Sequence, residues 1–251
     1  MRDLIKNKLY FEEIIFNSRK SIERLNNSLK TGQVHIDRVN SVKFSIVQYN
    51  ISIIFCKYSS GYKVEDLIPD LINSIHLTFE CWDNSRKIKY ESEMLDQYSL
   101  GSYDLILCML SLSYLLNLPD YEFSKLVYIL DRDKVKDQLY EFIIKHKLRN
   151  REVIHGESYR VFFGIPQVYS KLRKAIIETN KKTGAKLLYE FITKDWYSNH
   201  KESSWYNSHK EKYNTYLGYW SFETAAIVKI LGIDDSSFIN CQYYPKDLVH
   251  D

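Results

Sequence analysis

The chain has 251 residues, of which 45% are hydrophobic, and this is enough apolar surface for one large core or for two smaller ones. Only eight glycines and four prolines interrupt it, which excludes an all-β fold rich in tight turns and favours long helices. The net charge of +3 is too small to indicate a nucleic-acid-binding protein on its own.

Three long helices are predicted in the first third of the chain. Apolar residues recur at helical spacing from 2 to 30, where Thr31-Gly32 ends the helix, and the same period continues from 33 to 58. Because these helices are joined by a short break, we expect them to pack as an antiparallel hairpin. A third helix is predicted from 64 to 84, with Pro69 in its first turns.

The middle of the chain alternates charged segments with apolar helices. The charged segment 85–96 is predicted to be a loop or a helix extension, after which Gly101 precedes a strongly apolar helix that ends at Leu118-Pro119. Further helices are predicted at 122–130 and 135–147, separated by the charged break Asp131-Arg132-Asp133. We place a domain boundary at this break, giving helical domains 1–131 and 132–251.

The last helices are predicted near 167–180, 185–200 and 220–231, after a segment of mixed character at 149–164. The helix at 220–231 lies between Gly218 and Gly232 and is apolar except for a narrow polar stripe, which is typical of a buried core helix. We expect Trp220 to be buried there. The predicted fold class is therefore all-α, a multi-helix bundle.

Two segments of similar pattern suggest that the bundle could contain two related helical units. Residues 100–123 parallel 217–238, with Gly101 opposite Gly218 and Tyr103 opposite Trp220. Each unit would have a central helix that the chain enters through a glycine turn and leaves through a short acidic cap.

The cysteines give no sign of a disulfide framework or a metal site, because they are far apart and lack histidines at ligand spacing: Cys56, Cys81, Cys108 and Cys241. Acidic residues stand where a signal peptide would be apolar, and the longest uncharged stretch, 105–119, is too short to span a membrane. We expect a cytoplasmic protein with no membrane contact, no cofactor and no metal.

Sequence signatures of enzymes are absent. The chain has no G-x-S-x-G, H-E-x-x-H, Walker or G-x-G-x-x-G motif, and no Asp or Glu stands two residues before a Lys, as restriction-type nucleases require. His200, His209 and Glu223 could be imagined as an uncharacterised catalytic group. Unpaired histidines among aromatic residues are more often packing residues, so we expect no catalytic residues.

Several segments resemble one protein family. GYWSFETAAIVKILGIDDSS (218–237) and YYPKDLV (243–249), with Trp196, Trp205 and His209, resemble the C-terminal domain of the PoNi family. SSGYKVEDLIPDLINSI (59–75) and SYDLILCMLSLSYLLNLPDYEF (102–123) resemble its N-terminal domain. PoNi proteins are immunity proteins that accompany bacterial polymorphic DNase toxins. The resemblance implies an all-helical, non-enzymatic protein that binds a cognate DNase toxin domain and blocks it.

The toxin-binding candidates are acidic or aromatic. Charges on a loop can steer association without being needed for packing, which favours three residues of the charged segment. The full set of candidates is Glu91, Glu93, Asp96, Tyr219, Glu223, Asp234 and Asp235. For Glu223 and for the pair Asp234-Asp235, a structural role is the alternative to toxin binding. Glu223 could accept a hydrogen bond from a Tyr or Trp, which we favour, and Asp234-Asp235 resembles a helix N-cap.

A nucleic-acid-binding helical regulator is the alternative function. Residues 145–186 contain eleven basic and three acidic side chains, and such a stretch could face DNA, an acidic partner or solvent. A solvated surface is the commonest fate of these charges, so we expect nucleic acid not to be the partner. The mild basic balance also argues against simple mimicry of DNA. The oligomeric state is not indicated by the sequence.

Overall fold

The computed structural model describes residues 1–160 and 164–250, and its regular structure is almost entirely helical. The all-α prediction is confirmed, with one two-stranded hairpin as the sheet among these residues. The described residues form two compact units, the first from Met1–Asp83 with Asn207–Gly218 and the second from Asn84–Tyr206 with Tyr219–Asp251. The division into domains 1–131 and 132–251 is based on the sequence and stays a prediction.

The first unit is built on three helices, α1 (Lys8–Lys30), α2 (Val39–Ser60) and α3 (Ile68–Cys81). The Asn7 side chain accepts from the Tyr10 amide and caps the start of α1, and Gly61 ends α2. As predicted, α1 packs against α2, and α2 packs in turn on α3. Three isoleucines form the centre of this packing: Ile22, Ile46 and Ile53.

Gly61 shows why this unit tolerates no side chain at the end of α2. Its φ is 86°, in the region that favours glycine, and an added Cβ would lie 2.7 Å from the backbone nitrogen of Met1. The amides of Arg2 and Asp3 bind the Ser59 carbonyl at 2.9 and 3.1 Å. The N-terminal segment therefore lies directly against the backbone at the α2 terminus.

Residues 207–218 complete the first unit although they are remote in sequence. The Tyr216 hydroxyl donates to the Asp3 carboxylate, and the Ser59 hydroxyl donates to the Leu217 carbonyl at 2.8 Å. Asp3 and Tyr216 are both buried. These bonds satisfy polar groups that would otherwise be left unpaired in the interior.

The second unit starts with a hairpin that the sequence did not predict. Strand β1 (Lys87–Tyr90) pairs antiparallel with β2 (Glu93–Tyr98), placing Lys87 opposite Tyr98 and Tyr90 opposite Glu93. The expected loop or helix extension at 85–96 is therefore wrong for most of that segment. Apolar and charged residues alternate along β1 with the period of a strand, but the run is only four residues long and was hidden by its charges.

The rest of the second unit is helical. It contains α4 (Leu100–Leu115), α5 (Asp120–Asp133) and α6 (Gln138–Lys147), then the short helices α7 (Gly164–Val168) and α8 (Ser170–Ala175). Next come α9 (Lys181–Glu190), a π-helical turn (Phe191–Asp195) and α10 (Trp196–Asn199). The last two helices are α11 (Phe222–Leu231) and α12 (Asp247–His250). Trp220, just before α11, is 6% exposed, as predicted.

Two boundary predictions are corrected by the helices of this unit. Asp131-Arg132-Asp133 is the last turn of α5 and not a break, because Lys134 adopts a left-handed conformation and ends the helix one residue later. The predicted helix at 167–180 is divided at Tyr169 into α7 and α8. Part of the segment predicted to be irregular, 161–163, lies outside the described residues.

The expected equivalence of Gly101 and Gly218 is wrong. Gly101 lies inside the first turn of α4, whereas Gly218 has a φ of 103° and precedes the start of α11 by four residues. Helices α4 and α11 also pack against each other within the second unit. In the part of the chain that the structure describes, none of the helices is long and apolar enough to cross a bilayer.

Candidate partner-binding site

The tip of the β1–β2 hairpin presents two carboxylates to solvent. Glu91 and Glu93 are exposed, and neither forms an ion pair with a residue that the structure describes. Glu91 has a φ of 53°, a conformation that Gly or Asn adopts more readily. Asp96 differs, because its carboxylate accepts from the Lys87 ammonium at 2.7 Å across the strands. Of the three candidate acids that lie on the hairpin, Glu91 and Glu93 therefore form no ion pair with a described residue.

The base of the hairpin is fastened to the body of the second unit. The Lys87 ammonium donates to the Asp133 carbonyl at 3.1 Å, and the Tyr98 hydroxyl donates to the Asp133 carboxylate at 2.7 Å. The Gln97 amide donates to the Ser158 carbonyl. The hairpin is thus held at its base to the end of α5, while its tip remains exposed.

Two of the candidate residues, Glu223 and Tyr219, are buried in this fold. Glu223 Oε1 accepts from Trp196 Nε1 and from the Ser221 hydroxyl, both at 2.6 Å. Burial raises the pKa of Glu223 above its ordinary value. Tyr219 is 4% exposed and its ring packs 5.0 Å from that of Tyr197. The structural role that we favoured for Glu223 matches these contacts.

The two aspartates after α11 have different surroundings. Asp235 is buried, and its Oδ2 accepts from the Tyr244 hydroxyl at 2.6 Å and binds His250 Nε2 at 2.8 Å. Asp234 is exposed and accepts from the Ser236 amide at 3.0 Å, which lowers its pKa. The residues that follow form turns, so the predicted helix N-cap is wrong. Of this pair, Asp234 is the exposed residue.

The two histidines of the hypothetical catalytic group belong to different units. His200 is buried in the second unit, and burial lowers its pKa to about 4, so it is neutral at physiological pH. His209 belongs to the first unit, where its ring packs on that of Tyr216 at 6.1 Å. Among residues 1–160 and 164–250, no cluster of three or more His, Cys, Asp or Glu side chains is placed to hold a metal.

A buried network centred on Tyr169 was missed by sequence reasoning. The Tyr169 hydroxyl donates to Asp104 at 2.7 Å and lies 3.2 Å from His200 Nε2, while His200 Nδ1 binds the Trp196 carbonyl at 2.6 Å. Burial, with a smaller contribution from the charge of Glu223, raises the pKa of Asp104 to about 8. The members of this network come from α4, from the turn between α7 and α8, and from α10 and the residue after it, so no local pattern could have shown the network.

Part of the basic stretch 145–186 is paired with acids of the same chain. Arg173 is buried and forms ion pairs with Asp137 and, at 2.8 Å, with Glu157. Arg151 binds Asp131 at 2.6 Å, and other pairs involve the Lys171 ammonium. Most of these acidic partners lie outside the stretch, so counting basic and acidic residues within 145–186 did not include them. A cation that is already paired contributes little to binding phosphates, so Arg151, Lys171 and Arg173 lend the nucleic-acid alternative little support.

Comparison with known proteins gives both a family and a fold. The model of the PoNe immunity protein (PoNi) N-terminal domain matches residues 2–128, and that of the C-terminal domain matches residues 135–248. The crystal structure of protein PA2201 from Pseudomonas aeruginosa is similar with a TM-score of 0.66 and 13% identity, over 96% of this chain and 86% of that one. At this identity the likeness concerns the fold alone. No match was found among curated proteins. With both domain models matched along almost its whole length, the chain belongs to the PoNi family of PoNe immunity proteins.

Proposed function

We propose that this protein binds a cognate bacterial DNase toxin domain and blocks its nuclease activity in a stoichiometric complex. The observation that carries the proposal is the match of both PoNi domain models, which supports an immunity function against polymorphic nuclease toxins. The exposed carboxylates of Glu91 and Glu93 agree with it. A protein that binds DNA presents cations to the phosphates, and unpaired acids on a partner complement them.

The proposed inhibition works by binding alone, without a chemical reaction. Two members of the hypothetical catalytic group, His200 and Glu223, are buried and hydrogen-bonded to neighbours within the fold. Toxin-binding residues are therefore sought among exposed side chains: Glu91, Glu93, Asp96 and Asp234. The inhibitor would act in the cytoplasm, where the DNA that such a toxin attacks is found.

Co-expression and titration test the proposal together. Cells that express the cognate toxin should regain growth when this protein is supplied, and DNA cleavage by the purified toxin should stop near one equivalent. Because a cell tolerates almost no free nuclease, we expect a dissociation constant on the order of nanomolar or below. Permanent inactivation by sub-stoichiometric amounts would contradict the proposal, as would rescue without association.

A further inference from the structure

The outward face of α5 exposes two tyrosines. Tyr121 and Tyr128 are 67% and 55% exposed, and seven residues place them on one side of the helix, about 10 Å apart. The opposite side, including Phe123 and Leu126, is fully buried in the core. Lys125 lies between the tyrosines, with its ammonium 5.3 Å from the centre of the Tyr121 ring.

The cations beside these tyrosines are already paired within the fold. Lys125 binds Glu122 at 2.7 Å, and Arg132 binds Asp133 at 2.8 Å. Both carboxylates belong to buried residues. This face of α5 therefore offers aromatic surface beside cations whose charge is already matched. Nucleic acid needs unmatched positive charge for its phosphates, so the face suits a protein partner better.

The β1–β2 hairpin joins this helix at its end. Asp133, the last residue of α5, binds both Lys87 and Tyr98 at the base of the hairpin. Beyond the base, the hairpin exposes Tyr90 and Met94, which are 53% and 45% exposed, beside its two exposed glutamates. One region of the second unit thus combines exposed tyrosines and methionine with two exposed glutamates, beside the exposed Lys89 of β1. Tyr and Met are enriched at protein interfaces.

We propose that α5 and the β1–β2 hairpin together form the docking surface for the positively charged, DNA-binding face of the nuclease. In this arrangement the exposed side chains of Tyr121 and Tyr128 anchor the complex. Glu91 and Glu93 steer the encounter through complementary charge. The inference rests on the proposed function. It adds which surface of this protein binds the toxin, and that the face of the toxin it binds is positively charged.

Two double variants separate anchoring from steering. Binding to a catalytically inactive cognate toxin domain is measured by surface plasmon resonance at low and high salt. Tyr121→Ser with Tyr128→Ser should weaken binding by roughly 30-fold or more, mainly through faster dissociation. Glu91→Gln with Glu93→Gln should slow association several-fold at low salt only, because salt screens exposed charges. Tyr189→Ser, at a 38% exposed tyrosine of α9, is the matched control and should behave as the native protein.

The outcomes distinguish the surface from the function. If the native protein does not bind the toxin, the proposed function fails. If it binds and both double variants bind equally well with unchanged melting temperatures, the proposed surface is wrong while the function stands. Sedimentation supplies a third outcome. If the native protein is a homodimer and the tyrosine variant is a monomer with unchanged toxin affinity, α5 is a contact between two copies of this chain. The assignment of α5 to the toxin-docking surface is then overturned.

Discussion

Replacing Asp104 with asparagine should make the protein more stable relative to the native form as the pH rises. The pKa of Asp104 is raised from 3.8 to about 8, so the folded state keeps a proton that the unfolded state has released. This contribution to stability is complete below about pH 4 and is lost as the pH rises through 8. The amide of the substituted side chain does not titrate, yet its carbonyl can still accept from Tyr169.

The size of the effect follows from the shift. Each pH unit between the two pKa values changes the free energy of unfolding by about 1.4 kcal/mol, so the gap between variant and native protein should widen by about 2 kcal/mol from pH 6.5 to 8. This is an upper limit, because the Asp104 side chain is 20% exposed and water screens part of its surroundings.

His200 gives the experiment a second signature. The pKa of His200 is lowered to about 4, so its contribution to the free energy of unfolding is present above pH 6.5 and is lost as the pH falls toward 4. This pH trend is opposite in sign to that of Asp104. Asp104→Asn removes the opposite trend of Asp104. The free energy of unfolding of the variant should therefore fall by up to about 3 kcal/mol on acidification from pH 6.5 to 4. Urea unfolding followed by tryptophan fluorescence measures both trends. A gap that does not change between pH 5 and 9 would refute the assignment of the raised pKa to Asp104.

Three further substitutions test the packing. Trp220→Ala should destabilise the protein by roughly 3–5 kcal/mol in chemical unfolding, and unchanged melting with lost toxin binding would instead place Trp220 at the interface. Glu223→Leu should cost about 1–3 kcal/mol because it leaves the buried Trp196 Nε1 without its acceptor, and a neutral result would show that the bond adds nothing. Gly61→Ala should lower the melting temperature through its positive φ and the close approach to Met1, and an equal or higher melting temperature would contradict that contact.

The sequence predicted the helices better than it predicted what connects them. Long apolar periods such as that of α1 are local and determine a helix wherever it packs. The hairpin was missed because its strands are short and charged, and β-propensity could not distinguish them from a loop. The pairing of Arg173 with Asp137 and the Tyr169 network depend on residues far apart in the chain. A structural role for Glu223 could be favoured because aromatic residues precede it, but the helix pattern placed it on the polar stripe, so neither its burial nor the choice of Trp196 as its donor could be derived from that pattern.

The return of residues 207–218 to the first unit has a consequence for biosynthesis. The chain passes between the units at 83/84, 206/207 and 218/219, so the N-terminal helices lack the partners of Asp3 and Ser59 until most of the protein has left the ribosome. Contacts between residues more than 200 positions apart close large loops, which slows folding. A nascent chain released before residue 218 would expose the surface that this segment covers, and would be a substrate for proteases. Protection of the cell would then lag behind the start of translation by the time needed to make nearly the whole polypeptide.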